Sequence, residues 1–275
     1  MPVLLNDIAE LTDSEFERVS ELVKALCGIN LHQGKKELLK ARLSKRVRML
    51  GMSGFDEYIR RVEADSDGDE LVVMLDAIST NLTNFFREPA HFEYLSERVI
   101  PEVATRRLRV WSAGCSSGEE PYTIAIVLQE HLPEPLGWDV KILATDLSTR
   151  VLAQARRGAY PAERLKDFSG LLLSRYFTCV QTRPERVYQL NDAVRRMVTF
   201  ARLNLMDAWP MRGPFDVVFC RNVMIYFDKP TQSRLVNRFW ELLAPGGILF
   251  VGHSESLAGV KHRFEYVQPT VYRRA

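Results

Sequence analysis

The 275-residue sequence has only four cysteines, Cys27, Cys115, Cys179 and Cys220, and none belongs to a Cys-x-x-Cys pair. That sparseness excludes a disulfide framework and a cysteine metal site as expectations. Apolar stretches are short, and none approaches the roughly 18 residues that span a bilayer. The opening Met1-Pro-Val-Leu-Leu5 gives way at once to Asn6, Asp7 and Glu10, which is not a signal-peptide pattern. Internal repeats and low-complexity tracts are missing as well. The net charge is only +2, so the total points to no class of partner. The expectation is a cytoplasmic chain without metal and without direct membrane insertion.

What is present is an ordinary globular composition, 46% apolar and 26% charged, long enough for one large domain or two smaller ones. The charge is unevenly placed. Lys35, Lys36, Lys40, Arg42, Lys45, Arg46 and Arg48 face a single acid, Glu37, within one short run. This makes a local basic face on a nearly neutral chain.

Residues 1 to about 76 carry helical patterns only. Thr12-Asp-Ser-Glu15 forms a capping box. Phe16, Val19, Leu22, Val23 and Leu26 recur at helical spacing, and Gly28 is the expected stop. In the basic run, Leu39, Leu43, Val47 and Leu50 form one narrow apolar stripe that Gly51 ends. Arg42 and Arg46 flank this stripe, whereas Lys45 and Arg48 point away from it. Residues 64–69 read as an exposed loop, and 71–79 resume the helix.

From about residue 80 the character changes. Strand-like runs at 108–113, 140–145, 215–220 and 247–252 alternate with helical patterns at 120–131, 148–157 and 231–243. The alternation predicts an α/β domain built on a mostly parallel sheet covered on both faces. Pro245-Gly246-Gly247 reads as a helix-to-strand turn. Residues 160–200 break the rhythm, with short strands at 187–190 and 197–200 that read as a small β insertion. The expected division is an all-helical N-terminal domain with its linker over 1–79 and the α/β domain over 80–275. The β subdomain is expected at about 159–200.

Strand ends carry the chemistry, because open α/β sheets bind ligands at their carboxyl edge. After the run at 108–113 comes Gly114-Cys-Ser-Ser-Gly118, a loop in which glycine allows close backbone approach. Its spacing is not that of the dinucleotide fingerprint, and no Gly-Lys-Ser/Thr follows, so it is not a phosphate-binding P-loop. Glu119 and Glu120 follow instead, and two carboxylates at a helix start would repel a pyrophosphate. They suit a cofactor with a cationic amino group and no phosphate, such as S-adenosylmethionine. They equally suit the positive end of a helix dipole. Asp146 ends the second strand and is placed either to accept ribose hydroxyls or to cap the following helix. A third strand ends in Arg221-Asn222.

Four motifs then stand in order along the chain: Thr80-Asn-Leu-Thr-Asn-Phe-Phe-Arg-Glu88, Trp111-Ser-Ala-Gly-Cys-Ser-Ser-Gly-Glu-Glu-Pro-Tyr122, Phe219-Cys-Arg-Asn-Val-Met-Ile-Tyr-Phe227 and Gly252-His-Ser-Glu-Ser256. Together they resemble the CheR family of chemotaxis receptor glutamate O-methyltransferases over nearly the whole chain. The resemblance implies a class I methyltransferase fold, S-adenosylmethionine as cofactor and S-adenosylhomocysteine as product. It implies cofactor contacts at Asn81, Thr83, Arg87, Gly114, Glu120, Asp146, Asn204, Leu205, Arg221 and Asn222, with Glu119 not separable from Glu120. Arg87 and Tyr226 match the pair nearest the transferred methyl. The implied partners are methyl-accepting chemoreceptors, whose acidic helices would meet Arg42, Lys45 and Arg46. Nothing in the sequence pattern demands a dimer, so a monomer is expected.

Blander roles stand beside these. Phe85 and Phe86 read as packing residues. Met224, Ile225 and Phe227 read as wedges against the core, and His253 as a satisfied core histidine. A methyltransferase for nucleic acid or a small molecule is the first alternative, but no aromatic platform is interleaved with the basic residues, so no nucleic acid is expected. A binding module that senses S-adenosylmethionine without turnover is the second.

Overall fold

In the computed structural model, Thr12 caps the first helix, α1 (Asp13–Cys27), as the capping box predicts. Its hydroxyl accepts from the Glu15 N–H at 3.2 Å, and the Glu15 carboxylate accepts from the Thr12 N–H at 2.7 Å. Residues 10–65, 68–78, 82–133 and 137–275 are described, and the chain divides into two units.

The smaller unit holds the N-terminal helices together with Tyr226–Asp228. Gly28 ends α1 in the left-handed conformation that glycine favours. The buried stripe of α1 is Phe16, Val19, Val23 and Cys27, whereas Leu26 is 41% exposed, contrary to expectation. A step of four from Val23 lands on Cys27, and the position before it turns outward by about 100°. Helix α2 (Lys36–Met49) buries Leu39, Leu43 and Val47 as predicted, plus Ser44, whose hydroxyl donates to the Lys40 carbonyl. Helices α3 (Phe55–Glu63) and α4 (Asp69–Ile78) complete the set. Ser79, the expected end of α4, lies outside the described residues. Within this unit the Asn30 N–H donates to the Tyr226 carbonyl at 2.7 Å, and Ile29 bridges Phe227 in antiparallel fashion.

The larger unit is built on a seven-stranded sheet of order β6-β2-β1-β7-β8-β10-β9. Its parallel strands are β1 (Arg107–Ala113), β2 (Asp139–Asp146), β6 (Val198–Arg202), β7 (Phe215–Cys220) and β8 (Leu243–Val251). Strands β1 and β7 have neighbours on both sides and read as nearly continuous buried runs, as interior parallel strands must. The connecting helices are α7 (Glu119–His131), α8 (Thr149–Arg157) and α11 (Lys229–Leu242). Ahead of β1, a helical stretch runs from α5 (Ala90–Tyr94) to α6 (Ile100–Glu102) through a π turn. From β1 the strand order steps one way to β2 and β6, then resumes on the other side of β1 with β7. The switch point lies between β1 and β7, where ligands of open α/β sheets sit.

Three features depart from the sequence reading. The run at 197–200 belongs to β6 and pairs with β2 in the large sheet, not with the insertion. The insertion's own sheet is β3 (Ala159–Pro161), β5 (Val187–Leu190) and β4 (Phe177–Gln181), all antiparallel. Helix α9 (Gly170–Tyr176) precedes β4, and the short α10 (Asp192–Arg195) links β5 to β6. Pro245-Gly246-Gly247 is not a separate turn but an irregularity inside β8, where the pairing with β7 slips between Phe215 and Val217. There Gly246 N–H and Gly247 carbonyl bond instead to Arg274. Finally, β9 (Glu265–Gln268) and β10 (Val271–Arg273) close the sheet edge as an antiparallel pair.

Candidate functional site

The carboxyl ends of β1, β2, β6 and β7 lie side by side, and each delivers predicted site residues. Gly114 follows β1, Asp146 ends β2, Asn204 and Leu205 follow β6, and Arg221 and Asn222 follow β7. The β1 loop is held in shape by left-handed residues at Gly114 (φ 89°), Ser116 (φ 48°) and Gly118 (φ 97°). A methyl group on Gly114 would come within 2.3 Å of Val223, and one on Gly118 within 2.9 Å of Ala155 and the Tyr160 hydroxyl. The close approach visible at both glycines is therefore to the protein's own side chains.

Asp146 ties this loop to the next helix. One carboxylate oxygen accepts from the Ser116 N–H at 2.8 Å and the other from the Ser148 N–H at 2.9 Å. The cap of α8 is Ser148, whose hydroxyl accepts from Val151, so Asp146 is not the N-cap the bland reading offered. A carboxylate oxygen has acceptor capacity for more than one donor, so bracing the loop is compatible with binding a hydroxyl.

The two adjacent glutamates have separate surroundings. Glu119 is fully buried, accepts from the Ser117 hydroxyl at 2.6 Å and lies 3.8 Å from Arg164. Burial pushes its carboxyl above the ordinary range against the pull of Ser117. Glu120 turns toward the strand ends. It accepts from the Ser112 hydroxyl of β1 at 2.6 Å and lies 3.2 Å from the Arg221 guanidinium. Its carboxyl is also raised by burial, with Arg221 and Ser112 opposing.

Arg221, only 5% exposed, is the centre of the network. It reaches Glu120, lies 3.1 Å from the Glu88 carboxylate and donates to the Arg87 carbonyl. Glu88 was not singled out from the sequence. It accepts from Arg221, from the Asn222 side-chain amide and from the His253 N–H. Burial works against its ionisation, but Arg221 and the His253 N–H outweigh that and hold the carboxyl below its usual range. Three residues near this network adopt positive φ without being glycine: Phe86 (53°), Glu88 (59°) and Asn222 (59°). Such strain gathers where surrounding structure over-determines it, often at functional sites. Phe85 anchors the segment, 1% exposed and edge-on to Tyr160, Phe168 and Phe177 at 5.0–5.8 Å.

The remaining candidates separate. Thr83 is buried, and its carbonyl accepts from Arg164; Arg87 donates to the Leu82 carbonyl. Asn81 lies outside the described residues. The Asn204 side chain bonds to Asp207 and to the Met206 N–H, and Leu205 is 9% exposed. Tyr226 groups with the helical unit, where the Lys35 ammonium lies 5.1 Å from its ring centroid. In that unit Arg46 makes a paired hydrogen bond to Glu70, which also accepts from the Tyr58 hydroxyl, and Arg42 donates to the Ile78 carbonyl. Lys45 is exposed. Met224 is buried as expected, but Ile225 is 48% exposed and does not wedge into the core. His253 is exposed, not a core histidine.

Glu88, His91 and His253 each offer one ligand atom within 4.8 Å of the others. That donor set resembles a cation site. The Glu88 carboxylate already has a cationic partner, the Arg221 guanidinium at 3.1 Å.

The residues fit S-adenosylmethionine by the chemistry of the donor set. Asp146 stands at the β2 end, where an acid can accept ribose hydroxyls, and Glu120 is an anion that would suit an amino group. The 114–118 loop carries no lysine or arginine for a phosphate.

Comparison with known proteins places the chain in a family. Residues 14–79 match the family described as "CheR methyltransferase, all-alpha domain", and residues 81–273 match "CheR methyltransferase, SAM binding domain". A probable chemotaxis protein methyltransferase of Rhizobium etli is 44% identical over 252 residues, covering 90% of this chain and 94% of that protein. The chemotaxis protein methyltransferase of Borreliella burgdorferi is 40% identical, covering 96% and 95%. That of Escherichia coli K12 is also 40% identical, covering 95% and 91%. With two family domains in order and relatives of this identity along nearly its full length, the chain belongs to the CheR methyltransferase family.

Proposed function

We propose that this chain methylates glutamate side chains on the cytoplasmic helices of chemoreceptors, using S-adenosylmethionine and releasing S-adenosylhomocysteine. The observation that carries the reading is the pair of carboxylates, Glu120 and Asp146, at the switch-point edge of the sheet beside a loop with no phosphate-binding cation. S-adenosylmethionine supplies an electrophilic methyl group on a positively charged sulfur. Glu120 holds its amino group, Asp146 its ribose hydroxyls, and Asn204 with Leu205 its adenine side. Thr83, Gly114, Arg221 and Asn222 line the same cofactor.

A substrate glutamate is already ionised at neutral pH, its ordinary pKa being about 4.3. The protein therefore needs no general base and no covalent intermediate. Its work is alignment and exclusion of water. Holding the acceptor oxygen in line, about 3 Å from the methyl carbon, contributes through proximity. Arg87 orients the substrate carboxylate by charge-assisted hydrogen bonds. Opposite charges on the reacting groups disappear as the ester forms, so a dry site favours the reaction over its solvated reactants.

The partner is an acidic helical bundle, and the basic face of α2 suits it electrostatically. Of Arg42, Lys45 and Arg46, Lys45 is the exposed one, whereas Arg42 and Arg46 also serve bonds inside the helical unit. The test is transfer of labelled methyl from S-adenosylmethionine to a purified receptor cytoplasmic fragment, read as base-labile label released as methanol. Label lost on replacing the receptor's methylatable glutamates with alanine supports the reading. Tight cofactor binding with no transfer to any receptor would favour a sensor instead.

A further inference from the structure

Glu255 lies in the loop after β8, in a place with no obvious use for a charge. It is 7% exposed. One carboxylate oxygen accepts from the Gly252 N–H at 2.6 Å and from the Asn222 N–H at 2.8 Å; the other accepts from the Ile225 N–H at 3.2 Å. The Met224 N–H also contributes to its environment. A buried carboxylate is costly to desolvate, and several N–H bonds are what offset that cost. All of these donors belong to two short loops, one after β7 and one after β8.

The loop after β7 would not hold its shape unaided. Asn222 adopts a left-handed φ of 59°, and the backbone then turns through the short helical turn Met224–Tyr226. N–H groups that point inward in such a turn have no strand or helix partner, and leaving one buried and unbonded is costly. The space is fully taken: a methyl group on Gly252 would come within 2.8 Å of the Asn222 nitrogen and 2.9 Å of the Glu255 carboxylate. Glu88 fixes the other side of Asn222 through its amide and also accepts from the His253 N–H. Asn222 is thus clamped between two carboxylates, its main chain by Glu255 and its side chain by Glu88.

We propose that Glu255 is a positioning residue for the cofactor site: it holds the 222–225 backbone so that Arg221 and Asn222 present their side chains to the cofactor. This rests on the cofactor reading given above for Arg221 and Asn222. Glu255 touches neither the methyl donor nor the acceptor and acts only through this loop.

The test uses the full chain with Glu255→Gln and Glu255→Asp. Glutamine keeps size but places an NH2 against N–H donors; aspartate keeps charge but is one methylene short. Amide exchange in the cofactor-free protein should accelerate by about tenfold or more at Asn222 and Ile225 in the glutamine variant, with smaller change in β1 and β2. Affinity for S-adenosylhomocysteine, by calorimetry well below the melting temperature, should fall about tenfold or more, with the aspartate variant between glutamine and wild type. Unchanged exchange at these amides would overturn the proposal. So would faster exchange with unchanged affinity, which would leave Glu255 as a stabiliser of the loop alone. Where the glutamine variant does not fold, Gly252→Ala, which crowds the same contact, is read in the same two assays. A wild-type chain that binds no S-adenosylhomocysteine would instead sink the cofactor reading, and the exchange result would still decide whether Glu255 holds the loop.

Discussion

The Glu88 carboxylate and the Arg221 guanidinium lie 3.1 Å apart, with side chains 10% and 2% exposed. Neither can lose its partner cheaply, because the survivor keeps its charge without water to solvate it. Glu88→Ala should destabilise the chain by about 3–5 kcal/mol. Glu88→Gln should cost less, since the amide oxygen still accepts. Urea unfolding of both variants checks this; a loss below about 1 kcal/mol for the alanine variant would show that the pair is not desolvated.

His91 gives a pH dependence of known sign. It is 1% exposed; burial first, then the positive charge of Arg221, push its pKa down to about 3, against the pull of Glu88. The unfolded histidine titrates near 6.5. Below that pH the unfolded chain takes up a proton that the folded chain refuses, so stability falls as pH drops from about 6.5 toward 3. The loss reaches up to about 2 kcal/mol by pH 5. His91 Nε2 lies 2.6 Å from the Thr270 hydroxyl, a contact that a glutamine amide can make as donor or acceptor. In His91→Gln the wild-type fall between pH 7.5 and 5 should be smaller by that amount. Equal slopes in the two proteins would count against it.

Asp146→Ala should weaken binding of S-adenosylhomocysteine by about tenfold to a hundredfold, the usual worth of hydrogen bonds to a charged acceptor. Calorimetry on wild type and variant measures it. Because Asp146 also braces Ser116 and Ser148, the melting temperature should fall too, whereas Asp146→Asn should separate the two effects.

The basic helix should divide by exposure. Arg46→Glu would set two carboxylates against each other at Glu70 and should lower the melting temperature. Lys45→Glu should leave it unchanged and slow receptor methylation, most at low salt, because exposed charges act through screened fields. A salt-independent effect of Lys45→Glu would point away from electrostatic docking.

Much of this arrangement was legible in the sequence because its signals are local. A capping box at Thr12, a buried run at 215–220 and an acid at the end of β2 each depend on neighbours a few residues away. The edge pair β9 and β10 escaped notice because its strands are four and three residues long, the first largely exposed and the second mostly buried, with no sustained period to detect. Glu88 and Glu255 escaped for a different reason. Their partners lie 133 and 33 residues away, at Arg221 and Asn222, and no spacing rule links them. The assignment of 197–200 to the insertion failed because pairing with β2 is a tertiary choice that a four-residue run does not declare. Which of two adjacent glutamates faces the strand ends was likewise undecidable from sequence: consecutive helical positions differ by about 100°, and only the direction of α7 fixes which points to Ser112.

The excursion of Tyr226–Asp228 into the helical unit has an engineering corollary. The N-terminal helices are continuous in sequence, yet their fold borrows three residues from far downstream, where Phe227 bridges Ile29 and Asp228 lies 3.0 Å from Lys24. Moving the N-terminal helices to another enzyme would leave that borrowed segment behind, so a transplanted helical unit would lack the Phe227 bridge and the Asp228 ion pair.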